Sequence, residues 1–261
     1  MSGMNSPAEI FEIWVGNGVK KASLPVGRMI LLGIFAGVFI SFGAHVFVLM
    51  TSAGETAFEI SLVKFLGASM FPVGLMLVVL CGAELFTGNN LMTLALFAKK
   101  ITPAAMLKSW LIVYLANFAG SLLIAAALAG SGLYTGAAAE RAIAVAAAKV
   151  AAPFGEMVLR GILCNMLVVL ALWLQAGAKD VIGKIFGIWF PIMLFVFAGF
   201  EHSIANMTYI PLGMMLGAEV TVGQLLIGNL LPVTLGNMIG GAVIVPGVYF
   251  IVYGRKQSRH D

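Results

Sequence analysis

The sequence predicts an all-α membrane protein whose six transmembrane helices form an inverted repeat of three plus three, with spans two and five broken. Three observations predict it. Of 261 residues, 61% are hydrophobic and 10% charged, and mean hydropathy is +1.04, far from the roughly 25% charged composition of soluble domains. Six apolar stretches run over residues 26–50, 65–97, 107–128, 157–176, 185–216 and 225–253. They are continuous for about 20 residues or more, where the strands of a membrane barrel alternate over about 10. The second and fifth stretches exceed the length of one span, and each contains the same polar frame, Gly-x-Glu-x-x-x-x-Asn, as Gly82-Ala-Glu84-Leu-Phe-Thr-Gly-Asn89 and Gly199-Phe-Glu201-His-Ser-Ile-Ala-Asn206.

The chain reads as one transmembrane domain over residues 1–261, which includes an N-terminal amphipathic helix at about 6–21. Ser6-Pro7-Ala8-Glu9 supplies an N-cap, a proline at the first helical position and a capping-box glutamate, after which Ile10, Phe11, Ile13 and Trp14 crowd one side. Glu9 and Glu12 stand where a signal peptide needs basic residues, so the segment reads as a surface helix, either an interfacial anchor or a movable gate. In the first span, Gly33, Ala36 and Gly37 permit close helix approach.

The second span carries the first polar frame. A carboxylate and a carboxamide at membrane depth are tolerated where the irregular stretch is buried in protein or lines a cavity. Two such breaks point to a conducting site. The third span contains Val113-Tyr-Leu-Ala-Asn117-Phe-Ala-Gly120, matched in the sixth by Val233-Thr-Leu-Gly-Asn237-Met-Ile-Gly240. Phe71-Pro-Val-Gly-Leu75 likewise matches Phe190-Pro-Ile-Met-Leu194 ahead of the frames. Repeat one thus covers about 26–129 and repeat two about 155–253, and an odd number of spans in each forces opposite orientations. Half-helix N-termini meeting near the midplane would favour an anion. The alanine-rich 136–152 segment reads as a helix or loop outside the bilayer that carries Lys149.

Eleven of the fifteen basic residues fall on one side: Lys20, Lys21, Arg28, Lys99, Lys100, Lys108, Lys179, Lys184, Arg255, Lys256 and Arg259. Lys64, Arg141, Lys149 and Arg160 fall on the other, with Glu55, Glu59, Glu140, Glu156 and Glu219. The bias predicts a cell (inner or plasma) membrane protein with both termini cytoplasmic. The net charge of +4 and pI near 9.1 then reflect topology and imply no nucleic-acid partner. Cys81 and Cys164 lack metal-ligand spacing, and the histidines, His45, His202 and His260, form no His-Glu-x-x-His motif, so no metal site or cofactor is expected.

Glu84 and Glu201 read as scaffold, accepting hydrogen bonds from unpaired backbone N–H groups at the breaks or from a neighbouring histidine. Asn89 and Asn206 either offer donors to a passing ion or satisfy the unwound backbone. Asn117 and Asn237, each followed three residues on by glycine, read as links between helices.

Cys81-Gly-Ala-Glu-Leu-Phe-Thr-Gly-Asn89 and Ala198-Gly-Phe-Glu-His-Ser-Ile-Ala-Asn-Met207 closely resemble the two signatures of the formate/nitrite transporter family, and the six-span pattern extends the resemblance over nearly the whole chain. The resemblance implies a homopentamer of aquaporin-like protomers, each with its own pore for small monovalent anions such as formate, nitrite or hydrosulfide. It makes His202 the central pore histidine, Thr87 its partner on the other break, and Lys149 the pore-adjacent lysine. It assigns Phe71, Leu75, Leu85 and Phe195 to apolar constrictions. Such a slit imposes on a bare anion a desolvation cost of many kcal/mol, which a weak acid escapes by taking a proton at or near His202. The competing reading keeps the anion charged and makes His202 an electrostatic guide. Formate is the first choice of substrate as the commonest of the group, with hydrosulfide second.

Readings from other classes fit less of the sequence. An aquaporin-like channel for neutral solutes would carry Asn-Pro-Ala repeats, and neither Asn89 nor Asn206 precedes proline. An enzyme would need a nucleophile and base or a metal cluster, for which adjacent His202 and Ser203 are no evidence. A purely structural membrane protein leaves the duplicated breaks unexplained.

Overall fold

A computed structural model describes residues 3–53 and 56–254. Glu55, Arg255, Lys256, Arg259 and His260, read above for charge and motif, lie outside the described residues. The described chain is helical throughout, with one isolated antiparallel bridge between Met4 and Ala178. Among the described residues six helices are long and apolar enough to cross a membrane: Val26–Met50, Phe58–Leu80, Pro103–Gly130, Phe154–Gly177, Val181–Ala198 and Gln224–Tyr253. The chain is a multi-pass membrane protein. Its outer surface is apolar, with Leu111, Leu159, Ile182 and Ile227 exposed, while asparagines and serines are buried inside. That inversion of the soluble pattern suits a molecule whose solvent is lipid.

The leading helix, Pro7–Ala22, begins as its sequence dictates. The Ser6 hydroxyl accepts from Glu9 N at 3.3 Å while Ser6 N donates to Glu9 Oε2 at 2.6 Å. The bond from Ser6 N, and after it one that the Ser6 hydroxyl donates to the same oxygen at 2.8 Å, hold the Glu9 carboxyl below its ordinary range. The buried face is Ile10, Phe11, Trp14, Val15 and Gly18. Ile13, counted above with that face, lies outside it, because a 3.6-residue period carries the stripe from 10 and 11 to 14 and 15. Asn5 N donates to Gly177 O, and Asn5 Nδ2 to Ala176 O, both at 2.8 Å, pinning the helix under the fourth span.

The second span starts before residue 65. Thr56 and Glu59 form another capping box, so Ala57–Met70 begins the helix and Lys64 lies within it. Hydropathy alone missed this amphipathic first part. The span continues through Phe71 and Pro72 into Val73–Leu80, breaks, and resumes as Phe86–Asn89, Asn90–Met92 and Thr93–Phe97. The fifth span, Val181–Ala198, breaks and resumes as Ser203–Met215. Residues 136–152 form the helix Gly136–Ala151.

The first span packs along the third and the fourth along the sixth. Gly120 and Gly240 make this possible, since a Cβ on either would overlap the carbonyl oxygen of Ile34 or Ile162. The sixth span departs from the straight third. Gln224–Leu230 and Ile239–Ile244 are π-helical, and Pro232 and Pro246, which lack the N–H an α-helical turn needs, follow these wide turns.

Candidate functional site

Both breaks are turned by a glycine in the left-handed region, Gly82 at φ 80° and Gly199 at φ 78°, where side chains are strained. After each, the N–H of the next residue returns to the helix behind it: Ala83 N to Val78 O at 2.9 Å, and Phe200 N to Phe195 O at 3.0 Å. The chain then runs extended through Leu85 and His202 before the next helix starts. His202 therefore occupies in the second frame the position Leu85 holds in the first.

One asparagine braces each break. Asn117 Nδ2 donates to Gly33 O at 2.8 Å and Glu84 O at 2.9 Å, and its Oδ1 accepts from Phe86 N at 2.9 Å. Asn237 Nδ2 donates to Gly161 O at 2.8 Å and Glu201 O at 2.9 Å, and its Oδ1 accepts from Ser203 N at 2.9 Å. These bonds satisfy backbone groups that a break at membrane depth would otherwise leave unpaired.

The carboxylates take lysine and asparagine side chains. Glu84 accepts from Lys21 Nζ at 2.7 Å and from Asn89 Nδ2 at 2.8 Å. Glu201 accepts from Lys149 Nζ at 2.9 and 3.0 Å and from Asn206 Nδ2 at 2.7 Å. The lysines come from the two 16-residue helices that precede the halves, Pro7–Ala22 and Gly136–Ala151. Sequence reasoning used Lys21 only to orient the chain. The signal it passed over was that Lys21 and Lys149 end equivalent helices.

Thr87 Oγ1 and His202 Nε2 are 2.9 Å apart, both groups buried, and this contact joins the two frames. His202 Nδ1 accepts from Ala205 N at 3.1 Å, capping Ser203–Met215. A ring nitrogen that accepts a backbone N–H carries no proton, so the neutral ring is protonated on Nε2 and donates to Thr87. Asn165 adds a second tie, its Nδ2 approaching Asn90 Oδ1 at 2.7 Å, Asn237 O at 2.8 Å and Thr87 O at 3.3 Å. Asn229, in the first π-helical stretch, accepts from Asn206 at 2.8 Å and donates to Lys149 O at 2.6 Å. Neither Asn165 nor Asn229 belongs to a frame, and nothing in the sequence marked them.

Two cavities approach this pair. One, of about 230 Å³, is lined by Lys149, Glu201, His202 and the rings of Phe71 and Phe195. Those rings meet edge to face with centroids 5.7 Å apart, and Phe195 stacks on His202 at 5.8 Å. The other, of about 400 Å³, is lined by Lys21, Lys184, Glu84, Asn89, Leu75, Leu85 and Leu172. The sequence-selected apolar residues thus divide into an aromatic pair on the Lys149 side and a leucine pair on the Lys21 side.

The chain matches the model of the formate/nitrite transporter family over residues 8–251. It is 45% identical to an uncharacterized transporter of Bacillus subtilis strain 168, YrhG, over 98% of this chain and 96% of that protein. It is 40% identical to the formate channel BtFdhC of Bacillus thuringiensis, over 97% of this chain and 98% of that one. A solved structure described as a pentameric formate channel with formate bound superposes with a TM-score of 0.77 at 29% identity, covering 87% of this chain and 97% of that one. With its two braced breaks, its buried histidine and a match along nearly its whole length, the chain belongs to the formate/nitrite transporter family.

Proposed function

We propose that this protein is a channel for small monovalent weak-acid anions, formate first, with hydrosulfide or nitrite as the alternative substrates. The observation that carries the reading is the buried Thr87–His202 contact between two lysine-bearing cavities, one lined by Phe71, Phe195 and His202 and the other by Leu75 and Leu85, the apolar residues that would form the constrictions. A dry slit disfavours a bare charge by several kcal/mol and lets a neutral acid pass. Lys149 and Lys21, each paired with a glutamate, offer their remaining ammonium donors to an anion in their cavities. At or near His202 the permeant takes a proton from water of the cavity, crosses as the neutral acid hydrogen-bonded to Nε2 and Thr87, and returns the proton to water beyond. Formate is favoured because relatives of high coverage are formate channels.

The two repeats, about 26–129 and about 155–253, each follow a leading helix, Pro7–Ala22 or Gly136–Ala151, and lie inverted in the membrane. The basic residues divide between the cavities as they do between the loops: Lys21 and Lys184 on one side, Lys64, Arg141, Lys149 and Arg160 on the other. This division supports a cell-membrane protein with cytoplasmic termini and the Lys149 cavity outside. Assembly as a homopentamer follows the solved formate channel.

One observation favours the charged-anion reading. A doubly protonated His202 would set Nδ1–H against the Ala205 N–H that it now accepts. In that reading the ring stays neutral and guides the anion by its Nε2–H alone. Uptake of formate, nitrite, hydrosulfide and chloride into proteoliposomes, with and without a pH gradient, for wild type and His202→Asn, separates the two. Proton exchange predicts weak-acid uptake that follows the gradient and loses that response in His202→Asn, with chloride excluded. Chloride flux that ignores pH supports the guide. Passage of a neutral solute alone rejects the anion channel.

A further inference from the structure

All four basic residues assigned above to the terminus-remote side, Lys64, Arg141, Lys149 and Arg160, line the Lys149 cavity. Two are neutralised locally, Lys149 by Glu201 and Arg160 by Glu156 at 2.8 Å. Lys64 and Arg141 have no carboxylate partner among the described residues. Both are half-buried, so each holds charge at a site where water screens it incompletely.

These two residues also line a second, outer cavity of about 380 Å³, which shares Lys64, Arg141 and Ala144 with the first. They stand at the passage from one chamber to the next. Arg141 is held there by one nitrogen, with Nε donating to Thr51 Oγ1 at 3.0 Å, while the Thr51 hydroxyl donates to Phe47 O at 2.8 Å. No protein partner occupies the terminal guanidinium nitrogens among the described residues. Lys64 Nζ lies 5.3 Å from the centre of the Phe197 ring. Glu140, the carboxylate lining the outer chamber, adjoins Arg141 in the helix, where neighbouring side chains diverge. The Lys21 cavity has Lys184 as a second cation and no arginine in its lining.

We propose that Lys64 and Arg141 form a second anion-holding step outside Lys149, at which the Arg141 guanidinium selects planar oxyanions over monatomic or diatomic ones. A guanidinium fixed through one edge presents paired N–H donors that match the two oxygens of formate or nitrite, a match hydrosulfide or chloride cannot make. Lys64 contributes charge without that geometry. The step rests on the anion-channel reading and adds a specificity residue to it.

The test is the concentration and salt dependence of anion uptake by proteoliposomes of wild type, Lys64→Gln, Arg141→Gln and Arg141→Lys. Arg141→Gln is expected to raise the half-saturating concentration of formate and nitrite about tenfold and to flatten the salt dependence, with a maximal rate near that of wild type. Hydrosulfide is expected to respond equally to Lys64→Gln and Arg141→Gln. Arg141→Lys, which keeps the charge and the helix, is expected to restore the salt dependence while leaving the formate value about threefold high. Unchanged half-saturation in Arg141→Gln overturns the step, and full rescue by lysine overturns the selection of planar anions. A wild type that conducts no anion removes the channel reading and this step together, whereas a conducting wild type indifferent to Arg141 removes this step alone.

Discussion

The break at Gly82–Asn89 and the break at Gly199–Asn206 are built alike and differ where they meet. Each has a left-handed glycine, a braced glutamate backbone, a lysine on the carboxylate and an asparagine beside it. At the fourth frame position the first has Leu85 and the second His202; at the sixth, the first has Thr87 and the second Ile204. The polar residue of each break faces the other's, and the apolar residues take the remaining places. The lesson is a division of labour. What holds an unwound helix open must be repeated, because each break exposes the same backbone groups. In the proposed channel what acts on a permeant is needed once, and a second histidine at Leu85 would replace an apolar residue lining the Lys21 cavity.

The largest expected effect comes from making the breaks alike. His202→Leu, which installs the first frame's residue in the second, removes the donor to Thr87 and is expected to lower weak-acid flux about a hundredfold, the scale of a lost buried hydrogen-bond pair. Proteoliposome uptake reads it, with elution as an intact oligomer as the control for folding. Retained flux and pH response in His202→Leu would mean that the asymmetry carries no function.

A smaller but symmetric effect is expected from the braces. Asn117→Leu and Asn237→Leu each leave one break carbonyl and one break N–H without a partner, at about 1–3 kcal/mol for each group left unsatisfied, while the Gly33 and Gly161 carbonyls keep their bonds within the first and fourth spans. Thermal unfolding in detergent should show similar losses for both. A large loss in one alone would break the comparison between the halves.

The smallest effect concerns the leading helices. Pro7–Ala22 is capped by Ser6 and Glu9, whereas Thr135 makes no side-chain cap on Gly136–Ala151. Glu9 is held below its ordinary pKa of 4.5, so its contribution is present above that value and is lost as pH falls through the lower, folded one. Acidification below pH 4.5 should accelerate hydrogen exchange in the first turn of Pro7–Ala22 and leave the start of Gly136–Ala151 unaffected by this cause. Ser6→Ala should remove the difference.

Much of this was legible because it is local. Hydropathy located the six spans, and the spacing Ser6 to Glu9 announced a helix start. The frames marked the breaks, since a glycine followed by glutamate inside an apolar run serves no straight helix. Resemblance, and not spacing, singled out Lys149 and the four apolar residues of the slits. The rest was hidden for identifiable reasons. The start of the second span was missed because Glu59 and Lys64 lower its hydropathy. Lys21 was read as a topological charge because its partner, Glu84, lies 63 residues away. Asn229 stood in an apolar run whose π-helical turns no simple periodicity predicts.

The sequence by itself determined that this chain is a membrane protein, which helices span, where two of them break and that the breaks are duplicates. These follow from transfer of side chains into lipid and from the φ values that only glycine adopts easily, both properties of short segments. The resemblance paired Thr87 with His202, and the structure brings them together across 115 residues; tertiary structure alone decided that lysines of two peripheral helices close on the two glutamates and that Lys64 and Arg141 line two cavities at once. Such contacts depend on how closely whole helices approach, which glycines such as Gly120 and Gly240 permit but do not aim.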